Sequence, residues 1–197
     1  QKELVKYGFG DLKVWVGENL GSDEEHIQET KVSQLGGREY SSLTVLIIEN
    51  PDFDSRIRTG IDDEEFIRGK VPMTKSEVRA VCLAKLSLSP GDIAYDIGCG
   101  TGSVTVEMAF SAYDGKVYAF DKNEEAISLL EQNCQKFHLD NVEAICGLAP
   151  ECLEGLPVPD VSFIGGSSGN MDEIVKYLYG LNSHMRFVIT AISLENA

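Results

Sequence analysis

The sequence predicts an α/β fold in which a doubly wound, mostly parallel sheet carries helices on both faces. Short apolar runs alternate with stretches of helical periodicity from residue 74 onwards, and this alternation is typical of parallel strands joined by helical crossovers. The predicted strands span 93–97, 116–120, 142–146, 161–164 and 186–192, and the predicted helices span 103–112, 123–138, about 150–155 and 171–181. Ligands of such folds bind beyond the carboxyl ends of the strands, near the point where the strand order reverses.

The loop after the first of these strands carries three glycines, in Asp96-Ile-Gly-Cys-Gly-Thr-Gly-Ser103. Glycines let the chain turn sharply and let a ligand lie against the backbone, while the following helix directs free N–H groups and its positive end toward the loop. A dinucleotide fingerprint needs a glycine at the sixth position, which Ser103 occupies, so a nicotinamide oxidoreductase is disfavoured. Asp96 would repel a pyrophosphate but suits a ligand with a positive amino or sulfonium group. Taken alone, the loop also fits a turn without a ligand.

A second acid stands at the end of the next predicted strand, Lys116-Val-Tyr-Ala-Phe-Asp121, 21 residues after Gly100. An acid at this position can accept hydrogen bonds from both hydroxyls of a ribose. Alone, Asp121 would equally suit the start of an Asp-Lys-Asn turn, but beside the glycine loop the ribose role is favoured. The motif Asp-x-Gly-x-Gly-x-Gly resembles the first motif of the class I S-adenosylmethionine methyltransferases. That resemblance implies cofactor contacts from both loops, by Asp96, Gly98, Cys99, Gly100, Thr101, Gly102, Asp121 and Lys122.

Composition and charge exclude several classes of protein. Of the 197 residues, 43% are hydrophobic and 25% are charged, as in an ordinary soluble globular protein, and no apolar run is long enough for a membrane span. The formal net charge of −15 argues against a nucleic-acid substrate, because phosphate binding needs a basic surface. The cysteines lack any Cys-x-x-Cys spacing, which predicts a reduced, cytoplasmic protein. The scattered histidines suggest no metal site and disfavour a catalytic Cys99.

The first 53 residues differ in pattern from the rest of the chain. Two β-rich runs, 12–16 and 42–48, flank a mixed stretch at 26–35 that predicts a strand and a short helix. These pieces bury too little apolar surface for an independent core, so they are expected to be the end of a preceding domain. Pro51-Asp-Phe-Asp marks the boundary, and a second domain is predicted from 54 to 197.

A helix is predicted to start within Met73-Thr-Lys-Ser-Glu-Val-Arg79. Thr74 and Glu77 have the Thr-x-x-Glu spacing of a capping box, and Lys75 and Arg79 share one face at i, i+4. The buried stripe of this helix is expected to consist of Val78, Val81, Cys82 and Leu86. The basic residues ahead of the first strand form one group in the sequence, made of Arg56, Arg58, Arg68, Lys70, Lys75 and Arg79.

Two further loops end strands at the predicted ligand edge. In methyltransferases the position of Gly147-Leu-Ala-Pro150 flanks the adenine, so Leu148 and Ala149 are expected to bind the cofactor. A helix start with proline in its first turn is the simpler interpretation of the same residues, and both can hold.

The fourth loop, Gly165-Gly-Ser-Ser-Gly-Asn170, stands where amino-group methyltransferases have Asn/Asp-Pro-Pro-aromatic. Its small residues, Gly165, Gly166 and Ser167, open space for a large substrate near the methyl group. A plain flexible turn is an equal alternative on spacing alone. Asn170 with Glu173 is suited to cap the next helix.

Three motifs together resemble one family closely: Val71-Pro-Met-Thr-Lys-Ser-Glu-Val-Arg79, the glycine loop, and Phe163-Ile-Gly-Gly-Ser-Ser-Gly-Asn170. The family is the decarboxylating precorrin-6Y methyltransferase of cobalamin (vitamin B12) biosynthesis, specifically its carbon-15 methylating half, and the resemblance covers residues 55–192. Residues 1–51 resemble the end of the partner half, a tetrapyrrole methylase, through Gly17-Glu-Asn-Leu-Gly and Leu46-Ile-Ile-Glu-Asn-Pro51. The chain departs from the family at Leu148, where an acid is common, and it is expected to lack the last strands of the domain.

The resemblance implies S-adenosyl-L-methionine as cofactor, methylation of carbon 15 of a precorrin-6 type tetrapyrrole, and loss of carbon dioxide from its ring C acetate. An electron-rich meso carbon needs little activation, so alignment of carbon, methyl and sulfur is the main requirement, and no catalytic acid or base is assigned. The substrate, a precorrin or cobalt-precorrin, is polyanionic, which makes Lys75 and Arg79 candidate contacts; a solvated basic face is the alternative. Thr74 is expected to touch the cofactor, cap its helix, or both. The family also implies a homo-oligomer, with a tetramer as one form, and neither nucleic acid nor membrane as partner.

Two other functions stay open on the sequence alone. A class I methyltransferase acting on tRNA or protein predicts a basic surface or a docking groove, and the acidic net charge weighs against the former. A cofactor-binding module without turnover predicts tight cofactor binding and no product. A purely structural role is disfavoured, because it would need neither the glycine loop nor Asp121.

Overall fold

The computed structural model describes residues 1–51 and 59–191, and the chain divides into two compact units, Gln1–Arg56 and Ile57–Ala197. Of the sequence predictions, Arg56, Arg58 and position 192 of the last strand lie outside the described residues. Within these ranges, every helix is too short or too polar to cross a bilayer.

The first unit is a small antiparallel sheet with a short helix, α1 (Lys2–Lys6). Strand β1 (Lys13–Glu18) lies between β2 (His26–Lys31) and β3 (Thr44–Glu49). Val14 and Val16 of β1 are buried against Val32 and Leu35. Strand β3 is an edge strand whose four apolar residues are all substantially exposed: Val45, Leu46, Ile47 and Ile48.

The second unit is a five-stranded parallel sheet, which confirms the predicted α/β class. Its strands are β4 (Ile93–Ile97), β5 (Lys116–Asp121), β6 (Val142–Cys146), β7 (Val161–Ile164) and β8 (Arg186–Ile189). Its helices are α2 (Ser76–Leu86), α3 (Ser103–Ser111), α4 (Glu124–Lys136) and α5 (Met171–Leu181). The helix predicted at about 150–155 is only a 3-10 turn, Glu151–Leu153.

Alternate residues of the strands point to opposite faces of this sheet, as the two-residue period of a strand requires. Ala94 and Val117 join one buried cluster, together with residues of α2, α3 and α4. Tyr95 and Phe120 join the other, together with Ile174 of α5. Both faces are therefore covered, which explains why the strands are apolar throughout.

The order in which successive strands are added to the sheet reverses beside β4. The order is β6-β5-β4-β7-β8, so the chain runs outward from β4 to β6 and then returns past β4 to β7. The loops after β4 and β7 consequently leave the sheet on either side of one crevice. This is the point at which ligands of open α/β sheets bind.

Two predicted helix caps are wrong. Helix α2 begins at Ser76, with Lys75 as its N-cap and without a side-chain capping bond, so the proposed box of Thr74 and Glu77 does not form. At the start of α5, Asn170 occupies the N-cap position but its side chain makes no capping bond, and its amide donates to the Ala149 carbonyl at 3.3 Å.

The buried stripe of α2 also differs from the prediction. Val78 and Val81 are 50% and 60% exposed, whereas Arg79 is fully buried. The stripe that packs on the core is rotated around the helix and consists of Arg79, Cys82, Leu83 and Leu86. A buried carboxylate from α3, Glu107, pairs with Arg79 and stabilises this orientation.

Candidate active site

A cavity of about 270 Å³ opens at the carboxyl ends of the strands in the second unit. Its wall is made by the loops after β4, β5, β6 and β7 and by residues that precede α2. The residues that line it include Pro72, Thr74, Gly98, Cys99, Gly100, Asp121, Lys122, Leu148, Ala149, Gly165, Gly166, Ser167 and Ile174.

The glycine loop needs glycine for two reasons: its backbone adopts positive φ angles, and other backbone atoms pack closely against it. Gly98 has a φ of +75° and Gly100 a φ of +55°, a region that other residues rarely adopt. A Cβ on Gly100 would stand 2.5 Å from the Pro72 carbonyl oxygen. The loop is also tied to β5, since the amides of Gly98 and Cys99 donate to the Phe120 carbonyl at 2.9 and 3.0 Å.

Asp121 stands at the end of β5 with its carboxylate fixed at the cavity. Oδ2 accepts from the Gly100 amide at 3.0 Å, and Oδ1 accepts from the Asn123 amide at 2.9 Å. A carboxylate oxygen can accept more than one hydrogen bond, so both oxygens retain capacity for the hydroxyls of a ribose. The predicted glycine loop and acid are thus brought together, and Lys122 lies beside them.

Asp96 is fully buried and does not line the cavity, although its neighbour Ile97 does. Its Oδ2 accepts from the Thr105 hydroxyl at 2.5 Å, while Oδ1 is buried without a hydrogen-bond partner among the described residues. Burial raises the pKa of Asp96 to about 7; the Thr105 hydrogen bond opposes this shift, and the charge of Asp121 adds to it. Because this oxygen is buried and Asp96 does not line the cavity, Asp96 can act on a positively charged ligand only through its charge and not through a hydrogen bond.

Thr101 and Gly102, predicted as cofactor contacts, do not line the cavity. The Thr101 carbonyl accepts from the Asn133 side chain at 2.9 Å, and a Cβ on Gly102 would stand 2.4 Å from Leu130. These residues face α4 because the loop turns into α3 at this point, so the structure corrects both assignments.

The Cys99 thiol is not a nucleophile in this site. The residue is buried, and its side chain joins the core cluster on the α2, α3 and α4 face. Burial, and then the charges of Asp96 and Asp121, raise the pKa of this thiol. A protonated thiol is a poor nucleophile, so Cys99 contributes to the cavity through its main chain.

The third and fourth loops both line the cavity, and they contact each other where the Asn170 side-chain amide donates to the Ala149 carbonyl at 3.3 Å. Leu148 and Ala149 follow β6, and the Leu148 side chain is 42% exposed and offers only apolar contact. Gly165, Gly166 and Ser167 follow β7. Sequence reasoning missed Ile174, which is buried in the first turns of α5; its apolar spacing indicated a core position but gave no sign that it reaches the cavity.

Thr74 lines the cavity, but Lys75 and Arg79 do not. Arg79 is fully buried, with its Nε donating to Glu107 at 2.5 Å and its Nη1 donating to the Thr74 carbonyl at 2.6 Å. Because every face of the guanidinium is covered, it cannot contact a substrate, and that assignment is wrong. Lys75 is half exposed and pairs with Asp63 at 3.1 Å.

Comparison with known proteins gives one consistent answer. A family profile described as "Precorrin methyltransferase domain" matches residues 65–197. A relative from Pyrobaculum calidifontis named "Probable cobalt-precorrin-6B C(15)-methyltransferase (decarboxylating)" is 48% identical over 120 residues, which are 59% of this chain and 62% of that protein. A relative of the same name from Saccharolobus solfataricus is 45% identical over 141 residues, 69% of this chain and 71% of that protein.

Among solved structures, precorrin-6y C5,15-methyltransferase from Geobacter metallireducens superposes with a TM-score of 0.66 at 39% identity, over 70% of this chain and 74% of that one. The alignment with the Pyrobaculum protein spans 62% of its length, which is less than two thirds.

Proposed function

Since this chain belongs to the precorrin methyltransferase domain family, we propose that it methylates carbon 15 of a precorrin-6 type tetrapyrrole, with decarboxylation of the ring C acetate, in cobalamin biosynthesis. The cofactor of this reaction is S-adenosyl-L-methionine, which supplies an electrophilic methyl group. The enzyme acts in the cytoplasm as a homo-oligomer, a tetramer by the family resemblance. Residues 1–53 are the end of a tetrapyrrole methylase domain.

The observation that carries the proposal is the hydrogen bond from the Gly100 amide to Asp121 Oδ2 at the cavity. It joins the glycine loop of β4 to the acid of β5 at the reversal of strand order. In this arrangement Asp121 holds the ribose hydroxyls, and the main chain of Gly98 to Gly100 lies against the cofactor. Leu148 and Ala149 flank the adenine, and Asp96, buried behind the glycine loop, attracts the amino group through its charge and without direct contact.

The loop after β7 forms the substrate side. Gly165, Gly166 and Ser167 have small side chains, which leave room for a large macrocycle near the methyl group. Holding the carbon and the methyl group in line accounts for much of the rate, because an electron-rich carbon needs no base to attack. Leu148 and Ile174 make the cavity partly apolar, and an apolar surrounding favours loss of a carboxylate charge.

The first experiment is a calorimetric titration of the purified chain with S-adenosylhomocysteine and, separately, with NAD. We expect micromolar binding of the former alone, and loss of that binding in Asp121→Ala. Asp114→Ala is the matched control, because Asp114 is an exposed acid at the opposite end of β5. Binding of NAD, or of neither compound, would contradict the cofactor assignment.

The second experiment tests the reaction itself. The chain is incubated with S-adenosylmethionine and a precorrin-6 type substrate, with and without cobalt in the ring, and the product is analysed by mass spectrometry. Gain of one methyl group together with loss of carbon dioxide supports the proposal. Tight cofactor binding without any product from either substrate would instead favour a binding module without turnover.

A further inference from the structure

Residues 60–75, here called the wall segment, form one side of the cavity with little regular structure of their own. Their single regular element in the described structure is the 3-10 turn Asp63–Glu65. Pro72 and Thr74 line the cavity, and the Pro72 carbonyl packs directly on Gly100. A segment this irregular needs partners from outside to hold it in one place.

Buried side chains from two helices hold the first half of the wall segment. The Glu107 carboxylate on α3 accepts from the amides of Gly60 and Ile61 at 2.7 and 3.0 Å. On α4, Asn133 accepts from the Ile67 amide at 2.8 Å and donates to the Ile67 carbonyl at 3.1 Å. Its amide also donates to the Thr101 carbonyl, so one side chain ties the wall segment to the glycine loop.

Arg79 on α2 is the common partner of the two ends of the wall segment. Its Nη1 donates to the Thr74 carbonyl at 2.6 Å, near the cavity, and its Nη2 donates to the Ile61 carbonyl. Among the described residues, the hydrogen-bond, ion-pair and ring partners of the guanidinium other than Glu107 all belong to the wall segment and are Ile61, Asp63, Phe66 and Thr74.

Stability alone does not account for this arginine. A buried ion pair loses its hydration, and well-packed apolar residues can often replace it without loss of stability. An apolar side chain could pack α2 against α3, but it could not donate to the carbonyls of Ile61 and Thr74. The rigid fork of the guanidinium satisfies both at once.

We infer that Arg79 is a positioning residue for the cofactor cavity: it holds the wall segment so that Pro72 and Thr74 stand against the glycine loop. This inference rests on the proposed function, because the ligand whose binding it supports is S-adenosylmethionine. Arg79 itself touches neither cofactor nor substrate and acts through the backbone of Thr74.

The test measures S-adenosylhomocysteine affinity and the thermal unfolding midpoint of Arg79→Gln and Arg79→Lys. The matched control is Arg186→Gln, because Arg186 also joins a carbonyl (Leu86, 3.0 Å) to an acid (Asp92, 2.8 Å), but at the start of β8, away from the cavity. We expect both Arg79 variants to bind at least tenfold more weakly than wild type, and Arg186→Gln to bind within about twofold.

The two Arg79 variants separate positioning from folding. Lysine keeps a positive charge facing Glu107 but lacks the fork, so its midpoint should recover toward wild type while its affinity does not. Wild-type affinity in either Arg79 variant, or an equal loss in Arg186→Gln, would overturn the inference and leave the proposed function intact. Failure of the wild type to bind would instead overturn the proposed function.

A second measurement needs no variant. If the ligand binds only while the wall segment is in place, binding should suppress the opening motion that exposes its amides. S-adenosylhomocysteine at 100 times its Kd should then slow hydrogen exchange at the amides of Gly60, Ile61 and Ile67 by about 100-fold. Amides of β1 in the first unit serve as the internal control. Unchanged exchange at the three amides while the ligand is bound would show that the wall segment is not coupled to the cavity.

Discussion

The backbones of Gly98 and Gly166 meet across the reversal of strand order. A Cβ built on Gly98 would stand 2.6 Å from both the amide nitrogen and the carbonyl oxygen of Gly166. Gly98 follows β4 on the cofactor side, and Gly166 follows β7 on the substrate side. This contact therefore sets the separation of the two loops between which methyl transfer is proposed.

Replacing Gly98 with alanine should remove cofactor binding and destabilise the fold. Gly155→Ala is a matched control, because both glycines have a φ of +75° but a Cβ on Gly155 meets nothing within 4 Å. In Gly155→Ala the free energy of unfolding should fall only by the cost of a positive φ at a residue with a Cβ, about 1–2 kcal/mol. This control should still bind S-adenosylhomocysteine. Urea unfolding and calorimetry measure both effects. Equal losses in the two variants would mean that the contact with Gly166 is unimportant.

Asp96 should make the free protein less stable as pH rises from about 4 to about 7. Its pKa is raised to about 7 in the fold, whereas the unfolded chain releases this proton near pH 4. Between these values the native state binds more protons, so its stability falls with pH, by about 4 kcal/mol in all, and levels off above pH 7.

The variant Asp96→Asn lacks this titration. Its free energy of unfolding should therefore increase relative to wild type as the pH rises over the same range, as measured by urea unfolding. A difference between Asp96→Asn and wild type that stays constant with pH would contradict the prediction.

Binding of S-adenosylhomocysteine below pH 7 should release a proton. If the positive amino group of the ligand lies within about 6 Å of the Asp96 carboxylate, the ionised form is favoured and the pKa of Asp96 falls. Calorimetric titrations at pH 6 in two buffers of different ionisation enthalpy measure the number of protons released. Asp96→Asn should release none and bind more weakly; equal release in both proteins would locate the proton elsewhere.

Cysteine reactivity should separate Cys146 from Cys99. Cys146 is exposed at the end of β6, whereas Cys99 is buried and its thiol pKa is raised. Iodoacetamide at pH 8 should alkylate Cys146 first in the folded protein, and Cys146→Ser should remove this fast reaction. Cys99→Ala should still bind S-adenosylhomocysteine within about threefold, since only the main chain of residue 99 serves the cavity. Peptide mass spectrometry identifies the alkylated cysteine. Rapid alkylation of Cys99 in the folded protein would contradict the prediction that its thiol is unreactive.

Features that depend on neighbouring residues could be predicted from the sequence. The strands β4 and β7 were predicted with their observed bounds. Each is a short apolar run flanked by turn residues, and this local pattern is enough to locate both ends of the strand. The meeting of the glycine loop and Asp121 followed from the rule that parallel strands end at the same edge. Both features needed only local pattern and one rule of topology.

Features that depend on distant partners could not be predicted in this way. Arg79 was predicted to contact the substrate, with a solvated basic face as the alternative, but its partner Glu107 lies 28 residues away, within the apolar sequence of α3. The wall segment has no periodicity, so nothing local indicated that Asn133 and Glu107 would hold it. The missed cavity residue Pro72 belongs to the same segment and was missed for the same reason.

The exposed apolar residues of edge strand β3 should affect self-association of the protein at high concentration. Val45 and Ile47 are 51% and 62% exposed on a strand whose outer edge pairs with no other strand among the described residues, a combination that favours association between chains. The net charge of −15 opposes such encounters at low ionic strength, but the screening length shrinks to roughly 3 Å in 1 M salt. Light scattering should therefore show self-association that grows with salt, and Ile47→Lys should suppress it.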